Sequence, residues 1–562
     1  MTKEKIYIVH IGELRFIVGG KLMDTIFLII NLLGGLGLFL YGMKMMGDGL
    51  ENAAGDKLKG IFDRITSNPI KGVLTGTIVT AIIQSSSATT VMIVGFVNAG
   101  LMNLYQATSV IMGANIGTTI TAQLITFKFD AFAPIFLAIG AVMILFCNKR
   151  KVKEVGQIIL GFGVLFLGLK LMSGAMSPLK ESVFFANLIL KLEGHTILGL
   201  LIGMMMTAVL QSSSASTGIL VALASTGSLP LTVAIPILLG NNIGTCVTAL
   251  ISSIGTSIAA KKAAVIHLLF NLIGAIIFLI IPVGILADTV LAISPKVGAE
   301  AIPRQIANAH TLFNVVNTIL LLPLIKYLVA FVNKIIPGED EKEVPGVKYI
   351  DERLLETPAI AFGQTTNEIV RMAEKAEENL KIAMNSFLQG DEESVKLAYN
   401  NEKIINLLEH DITRYLVKLS NSDLGDEQRA ELAAYFHVVN DIERIGDHAE
   451  NIADLASERI AKGLNFSQEA LNEIKGMFDY TVSAVEMSID CFKNYNRDKA
   501  ASIRGIEDRI DSLEKELRES HVKRLNTGVC NAVVGTIFLD LISNLERIGD
   551  HSVNIAEIIY EN

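Results

Sequence analysis

Two short polar runs lie inside long apolar stretches, and their side chains suit the binding of small ions. Each run reads Gln-Ser-Ser-Ser, first at Gln84, Ser85, Ser86 and Ser87 and again at Gln211, Ser212, Ser213 and Ser214. Hydroxyl and amide oxygens suit a hard cation such as sodium, whereas hydroxyl and amide N–H groups suit an oxyanion. Such runs are costly at membrane depth unless they face a cavity or a ligand, so two matching runs predict one site between two repeats.

The repeat extends well beyond the polar runs. An Asn-Ile-Gly-Thr sequence follows each run, spanning residues 115–118 and, 127 positions later, residues 242–245. Thr121 and Thr248 match at the same offset, and glycines upstream match at an offset of 126. A match of this length and order predicts two repeats, at about 24–147 and 155–335.

Composition divides the chain into a membrane part and a soluble part. The 562 residues are 51% hydrophobic with a mean hydropathy of +0.47, too apolar for an ordinary soluble protein. The predicted organisation is an N-terminal extension (1–22), a transmembrane domain (23–338), a linker (339–354) and a helical soluble domain (355–562). The net charge of −9 argues against nucleic-acid binding, and the four cysteines lack the spacing of a metal site.

The length of the polar-run segments restricts the topology. Residues 72–99 would make a straight helix of about 42 Å, whereas a hydrocarbon core is about 30 Å thick. The segment is therefore either strongly tilted or a re-entrant hairpin that turns at the polar run. If the hairpins do not cross, three crossings separate equivalent positions and the second repeat is inverted. The basic run at 148–153 should be cytoplasmic because of its positive charge. Four further crossings then place the C-terminal domain in the cytoplasm as well.

The interior around both runs lacks charged side chains. No Asp, Glu, Lys, Arg or His lies between Lys71 and Lys128 or between His195 and Lys261. An anion bound there needs co-bound cations, which predicts coupling to sodium. Serines that serve only helix packing are the alternative, and a serine nucleophile lacks a base. His267 and His310, each four residues before an Asn, are either functional or helix-pairing residues.

These motifs resemble the type II sodium-dependent phosphate cotransporters, and without the long loop of animal members the chain resembles the bacterial branch. The resemblance implies a multi-pass, non-enzymatic carrier in the inner (plasma) membrane that binds phosphate and sodium. It implies that both Gln-Ser-Ser-Ser runs form the substrate site and that Gln211, Ser212, Thr245 and Thr248 bind sodium. The repeat extends the substrate candidates to Asn115, Thr118 and Asn242, and the sodium candidates to Gln84, Thr118 and Thr121.

The soluble part carries a second repeat, with oxygen side chains on one helical face. The spacing i, i+4, i+8 relates Glu443, Asp447 and Asn451, and again Glu546, Asp550 and Asn554. Further acidic positions precede each set, at Glu402 and at Glu507 and Asp511. Such ligands suit magnesium, manganese or iron. The alternative is a solvated acidic stripe paired with Arg444 and Arg547.

Residues 355–562 resemble the phosphate-uptake regulator family called PhoU, which implies two three-helix units, bound divalent or ferric metal and a possible homo-oligomer. The predicted fold is all-α: inverted repeats with broken helices, followed by a helical bundle. The predicted function is sodium–phosphate symport regulated by the cytoplasmic domain. A membrane-anchored phosphate-sensing protein and a sodium-coupled carrier of another oxyanion are the alternatives.

Overall fold

The structure is a computed structural model with two compact units, residues 1–340 and 341–562. It describes residues 6–11, 14–54, 68–127, 129, 131–294, 301–338, 346–422, 424–528 and 530–561. Helices dominate, as predicted. One short hairpin is added: β1 (Ile6–Ile11) pairs antiparallel with β2 (Leu14–Gly19), immediately before the first helix. The all-α prediction missed this hairpin, because it treated residues 1–22 only as a polar extension.

Fourteen helices follow in the described part of the first unit. They are α1 (Gly20–Ala54), α2 (Pro69–Ile83), α3 (Ser86–Asn98), α4 (Leu104–Ile125), α5 (Ala133–Phe146), α6 (Arg150–Met176), α7 (Val183–Leu192), α8 (Thr196–Leu210), α9 (Ser213–Ser225), α10 (Leu231–Ser252), α11 (Ile258–Ile280), α12 (Val283–Ala292), α13 (Ile302–Leu321) and α14 (Ile325–Ile335). Short 3-10 turns at Ser177–Glu181 and Leu322–Leu324 extend α6 and join α13 to α14.

Five stretches among the described residues are long and apolar enough to cross a membrane: Ile26–Ala54, Arg150–Glu181, Leu231–Ser252, Ile258–Ile280 and Ile302–Ile335. The pair α7 and α8, bent by 111°, would be a sixth. Not every predicted crossing has this character. Helix α5 has only 14 residues, and α4 has 22 residues but is not among the stretches apolar enough to cross.

The two repeats are built on the same backbone contacts. A Cβ atom on Gly76 of α2 would lie 2.0 Å from the Val110 carbonyl oxygen of α4. At the equivalent place, a Cβ atom on Gly203 of α8 would lie 1.9 Å from the Ile237 carbonyl oxygen of α10. Only glycine permits such an approach. The offset of 127 residues therefore relates equivalent contacts between helices as well as equivalent positions in the sequence.

Helices α1 and α6, which open the two repeats, pack against each other through the matched glycines. A Cβ atom on Gly35 would contact Gly168, and one on Gly42 would contact Gly161. Gly35 and Gly42 are the sequence counterparts of Gly161 and Gly168. The early glycine of each helix therefore contacts the late glycine of the other, as expected for helices that run in opposite directions.

The second unit consists of two three-helix groups. The first contains α15 (Pro358–Gln389), α16 (Glu392–Leu419) and α17 (Asp426–Ala461); the second contains α18 (Gln468–Asn494), α19 (Arg497–Asn526) and α20 (Ala532–Glu561). Helices α17 and α20 join the groups. Of the predicted linker, residues 339–345 lie outside the described residues. Beyond them, the Glu368 carboxylate accepts from the backbone N–H groups of Lys348 (2.6 Å) and Tyr349 (2.5 Å), which ties the linker to α15.

Candidate functional site

The first Gln-Ser-Ser-Ser run is the point where one helix ends and the next begins. Gln84 ends α2 in the left-handed region, with φ 59°. The Ser85 hydroxyl then caps α3 by accepting from the Ala88 N–H at 3.1 Å. The Thr80 and Thr89 hydroxyls hydrogen-bond across the break at 3.1 Å, although nine residues of straight helix would span about 13 Å. The chain therefore folds back at the polar run, which confirms the broken-helix prediction.

The second run repeats this geometry. Gln211 ends α8 with φ 51°, and the Ser212 hydroxyl caps α9 by accepting from the Ala215 N–H at 3.2 Å. The Thr207 and Ser216 hydroxyls close the turn at 2.9 Å. Gln84 and Gln211 adopt a backbone conformation that non-glycine residues rarely use. Such residues often mark functional sites.

Each break presents two opposite helix ends. The first-turn N–H groups of α3 and α9, which include those of Ser86, Ser87, Ser213 and Ser214, carry partial positive charge and attract anions. The last carbonyls of α2 and α8 carry partial negative charge and attract cations. A single break can therefore serve an anion and a cation without any charged side chain.

The Asn-Ile-Gly-Thr motifs lie inside α4 and α10, and their polar side chains are held by local hydrogen bonds. Four side chains donate to a carbonyl one turn earlier: Asn115 to Ile111 (2.9 Å), Thr118 to Ala114 (3.1 Å), Asn242 to Leu238 (3.2 Å) and Thr245 to Asn241 (2.9 Å). All four side chains are buried. Their remaining oxygen lone pairs are oriented by these bonds and are free to accept or to bind a cation.

The packing of the hairpins brings the motifs of both repeats into one interior. The second arm of the first hairpin, α3, packs against α10 and α11 of the second repeat. The second arm of the second hairpin, α9, packs against α4 of the first repeat and against α6. Each Gln-Ser-Ser-Ser run thus leads into a helix that contacts the Asn-Ile-Gly-Thr helix of the other repeat.

The two breaks differ in the state of the glutamine. Gln84 is buried, 6% exposed; its amide nitrogen donates to the Ala81 carbonyl at 2.5 Å and its oxygen accepts from the Thr121 hydroxyl at 2.8 Å. Gln211 is exposed. The hydroxyl oxygen of its partner by repeat, Thr248, is buried without a hydrogen-bond partner among the described residues. At the first break, the glutamine is therefore hydrogen-bonded to the threonine of α4. At the second break, the corresponding glutamine and threonine remain available to a ligand.

Several polar residues beside the motifs were not among the predicted site residues. With its amide nitrogen turned toward Thr207, Asn241 donates to the Thr207 hydroxyl at 3.2 Å, which braces the second break. Arg304 of α13 donates to the Gln123 carbonyl of α4 at 3.3 Å and lies over the Phe127 ring. Sequence reasoning found the chain segments around these residues apolar but had no signal for contacts between helices far apart in the chain.

In the first group of the soluble unit, the predicted acidic residues surround Glu402. The Glu402 side chain is 1% exposed, and one of its oxygens has no hydrogen-bond partner among the described residues. Burial, reinforced by Asp447, Glu450 and Glu443, raises the pKa of Glu402 to about 8. Arg444 lies 3.2 Å from Asp447 and 3.7 Å from Glu443. The ion pairs of the alternative prediction are therefore present in this group.

The second group concentrates its carboxylates more tightly. Oxygen atoms of Glu507, Asp511 and Asp550 all lie within 4.8 Å of one another. Burial, followed by Asp511, raises the pKa values of both Glu507 and Asp550. Burial and then Asp550 raise the pKa of Glu546 as well. Arg547 is 3.9 Å from Asp550, a looser pair than Arg444 forms with Asp447. The donor set of this group fits a hard cation that prefers oxygen ligands.

Asn451 and Asn554 lie at the contact between α17 and α20. The Asn451 amide donates to Asn544 at 3.2 Å, and the Asn554 amide donates to Asp441 at 3.3 Å. His448 and His551 bond to the same two acceptors, each at 2.8 Å. In this structure the amide nitrogens of both asparagines join the two helix groups, a role that the i+8 spacing did not predict.

Family models match both parts of the chain. A Na+/Pi-cotransporter model matches residues 38–174 and 181–293. A PhoU domain model matches residues 369–456 and 474–559, one match in each three-helix group.

Known proteins match this chain over different lengths. The protein named "Putative inorganic phosphate export protein YjbB" from Escherichia coli O157:H7 is 25% identical over 95% of this chain and 97% of its own length. YqeW of Bacillus subtilis is 34% identical over 43% of this chain and 78% of its own length. The crystal structure of PhoU from Pseudomonas aeruginosa aligns with 35% of this chain and 93% of that chain, at 22% identity and a TM-score of 0.33. The chain therefore belongs, through its membrane part, to the Na+/Pi-cotransporter family, a family of transporters rather than enzymes, and it carries two PhoU domains at its C-terminal end.

Proposed function

We propose that the first unit transports inorganic phosphate coupled to sodium, through a site formed by the two Gln-Ser-Ser-Ser breaks. The observation that carries this proposal is the pair of capped helix N-termini, α3 and α9, at polar breaks in two chain segments that contain no charged residue. The family of the membrane part and the name of the E. coli relative support phosphate as the substrate.

The anion would lie against the two helix N-termini. Ser86, Ser87, Ser213 and Ser214 supply first-turn N–H groups and hydroxyl donors, and Asn115 and Asn242 supply amides. These neutral donors can replace the hydration shell of an oxyanion, but they do not neutralise its full charge. A co-transported cation would compensate the remainder, which makes binding of the two ions mutually dependent.

Sodium would bind at the second break. Among the described residues, the Gln211 side chain is exposed and the Thr248 hydroxyl has no hydrogen-bond partner. Thr245 keeps free lone pairs after donating to Asn241. Ser212 and the last carbonyls of α8 complete a set of neutral oxygens, the ligand type that a hard cation prefers. In the first repeat, Gln84 and Thr121 already bond to each other, and Thr118 donates to Ala114. Gln84 and Thr121 are therefore the weaker sodium candidates, whereas Thr118 keeps the same free lone pairs as Thr245.

We further propose that the two repeats are inverted in the membrane. The contacts of Gly35 with Gly168 and of Gly42 with Gly161 support an antiparallel pairing of equivalent helices. Inverted repeats around a central site allow one repeat to rock against the other, so that the same site opens to either side. The C-terminal unit would then lie in the cytoplasm.

The test is radiolabelled phosphate flux in proteoliposomes that contain the purified protein. An inward and then an outward sodium gradient, each compared with choline at equal ionic strength, separates import, export and uncoupled flux. Flux should follow the sodium gradient and stop in choline. Equal flux in choline would reject coupling. Flux of labelled sulfate but not phosphate would show another oxyanion as substrate, and no flux at all would favour a sensing role.

A second candidate function concerns the soluble unit: we propose that its second group binds a divalent or ferric metal. Glu507, Asp511 and Asp550 supply the closest oxygens, with Glu546 beside them. The first group has Asn406 where the second has Asp511, and Arg444 pairs there with Asp447. Binding to Glu402, Glu443 and Asp447 should therefore be weaker. A bound cation would relieve the mutual repulsion of these carboxylates and could report on phosphate status.

Metal analysis of the purified full chain tests this proposal. Asp511→Asn should lower the metal content, since it removes a carboxylate ligand without changing the size of the side chain. Asp508→Asn is the matched control, because Asp508 lies on the same helix outside the cluster of close oxygens. Equal metal content in wild type and Asp511→Asn would refute the site.

A further inference from the structure

Helix α13 carries a buried polar face that lies beyond the matched motifs of the two repeats. His310, Asn314, Asn317 and Thr318 are each at most 3% exposed. Each also has a buried atom without a hydrogen-bond partner among the described residues: His310 Nδ1, Asn314 Oδ1, Asn317 Oδ1 and Thr318 Oγ1. Buried unpaired polar atoms are costly, so a helix that keeps four of them has a reason beyond packing.

His310 reaches the second Asn-Ile-Gly-Thr motif directly. Its Nε2 atom lies 3.2 Å from the Asn242 side-chain oxygen. The Asn242 amide nitrogen donates to the Leu238 carbonyl at 3.2 Å, which turns the oxygen toward His310. An amide oxygen can only accept, so Nε2 carries the hydrogen and donates it. The Asn242 side chain is therefore held at both ends.

Helix α13 also contacts the first repeat. The Gln123 amide of α4 donates to Asn308 at 3.1 Å and to Thr311 at 2.9 Å. His310 lies between these two acceptors in the chain. Helix α13 thus touches both motif helices, α4 through Gln123 and α10 through Asn242.

His267 provides an internal comparison. It lies in the same His-x-x-x-Asn pattern and is also fully buried. Neither of its ring nitrogens has a hydrogen-bond partner among the described residues. Its backbone carbonyl, rather than its ring, accepts from Asn271 at 3.2 Å. The two histidines share chemistry and burial, but only the ring of His310 bonds to a residue of the candidate site.

We propose that His310 is a positioning residue for phosphate binding: its Nε2–H fixes the Asn242 amide in the orientation that the substrate site requires. This inference rests on the proposed transport function. It assigns to α13, a helix without any of the matched motifs, a share in substrate affinity at the second motif and none at the equivalent Asn115.

The experiment compares three substitutions at His310 with the same three at His267, in full-length protein in proteoliposomes. Glutamine places an amide nitrogen near the position of Nε2, whereas asparagine places one near Nδ1 and alanine supplies none. His310→Gln should keep the KM for phosphate within about threefold of wild type. His310→Asn and His310→Ala should raise it about tenfold, since one oriented hydrogen bond is lost, with a smaller change in kcat. The three His267 variants should not differ from one another in KM.

Equal KM values for His310→Gln and His310→Asn, with wild-type flux intact, would overturn the inference and leave the proposed function standing. A wild-type protein without phosphate flux would defeat the proposed function, and the inference with it. If His310→Ala does not accumulate, the glutamine and asparagine variants still decide, since both keep an amide. A Gln-over-Asn preference that appears equally at His267 would show a packing effect and would also overturn the inference.

Discussion

The two Gln-Ser-Ser-Ser breaks have the same backbone but offer different side chains to a ligand. Both glutamines adopt left-handed conformations and both serines cap the following helix. In the first repeat, Gln84 and Thr121 bond to each other. In the second, Gln211 is exposed and the Thr248 hydroxyl has no hydrogen-bond partner within the part of the chain that the structure describes. A repeat can therefore duplicate the backbone of a site while only one copy keeps side-chain oxygens that are not engaged with each other.

The soluble unit shows the same pattern. Both three-helix groups carry the acidic face, but only the second brings three carboxylate side chains within 4.8 Å among the described residues. In the first group, Asn406 replaces one carboxylate and Arg444 pairs with another. In each unit, the second copy of the repeat therefore has the oxygen atoms that are better placed to bind a cation.

The largest loss of stability should come from crowding the close helix contacts at Gly76 and Gly203, and it should be equal in the two repeats. Gly76→Ala and Gly203→Ala each place a Cβ atom about 2 Å from a backbone carbonyl oxygen. Each should cost about 3 kcal/mol or more, because backbone atoms cannot move aside as a flexible side chain can. Thermal unfolding in detergent would measure this loss. Gly37→Ala, with open space around the added carbon, should leave stability unchanged. A large loss in one repeat only would break the equivalence of the scaffolds.

The glutamines should separate stability from transport. Gln84→Ala leaves the Thr121 hydroxyl without its acceptor, which should cost about 1–3 kcal/mol of stability. Gln211→Ala removes an exposed side chain and should leave the melting temperature unchanged. Both should lower sodium-dependent phosphate flux by about tenfold or more. Because each variant places alanine in the same left-handed conformation, backbone strain cancels. An equal loss of stability in the two variants would contradict the difference between a hydrogen-bonded Gln84 and an exposed Gln211.

An effect that depends on pH is expected from Glu402, the centre of the first acidic cluster. Its pKa is raised to about 8 from an unfolded value of 4.5, so between these pH values the folded chain holds a proton that the unfolded chain has lost. The free energy of unfolding should therefore fall as the pH rises through this window. Glu402→Gln has no proton to lose, and its melting temperature should depend less on pH. Melting curves of the full chain with chelator at pH 5 to 8 measure this, and parallel curves would contradict it.

Sequence reasoning succeeded where a pattern is local or repeated. Broken helices at both polar runs follow from their length and polarity, and the helical groups of the soluble part follow from amphipathic periodicity. The offset of 127 residues could be recognised in the sequence because both copies have glycine and hydroxyl-bearing residues at matching positions. The N-terminal hairpin was not predicted, because its twelve paired residues do not alternate between apolar and polar side chains as a half-exposed strand does.

The difference between the two breaks could not be read from the sequence. Gln84 and Gln211 stand in nearly identical surroundings along the chain, and their burial depends on helices packed from elsewhere. The His310 contact with Asn242 joins residues 68 positions apart. Such contacts arise from tertiary packing, and a single sequence carries no local signal for them.

The most direct test of the central claim, that the second break supplies the sodium ligands, is a sodium titration of phosphate flux in Thr248→Val and Thr121→Val. Valine removes one hydroxyl at nearly constant size, so the two variants are matched by the repeat. Thr248→Val should raise the half-saturating sodium concentration about tenfold, the change expected for about 1.4 kcal/mol of lost binding. Thr121→Val should leave that concentration within about threefold of wild type, because its hydroxyl is already engaged with Gln84. Equal shifts in the two variants, or a larger shift in Thr121→Val, would contradict the account.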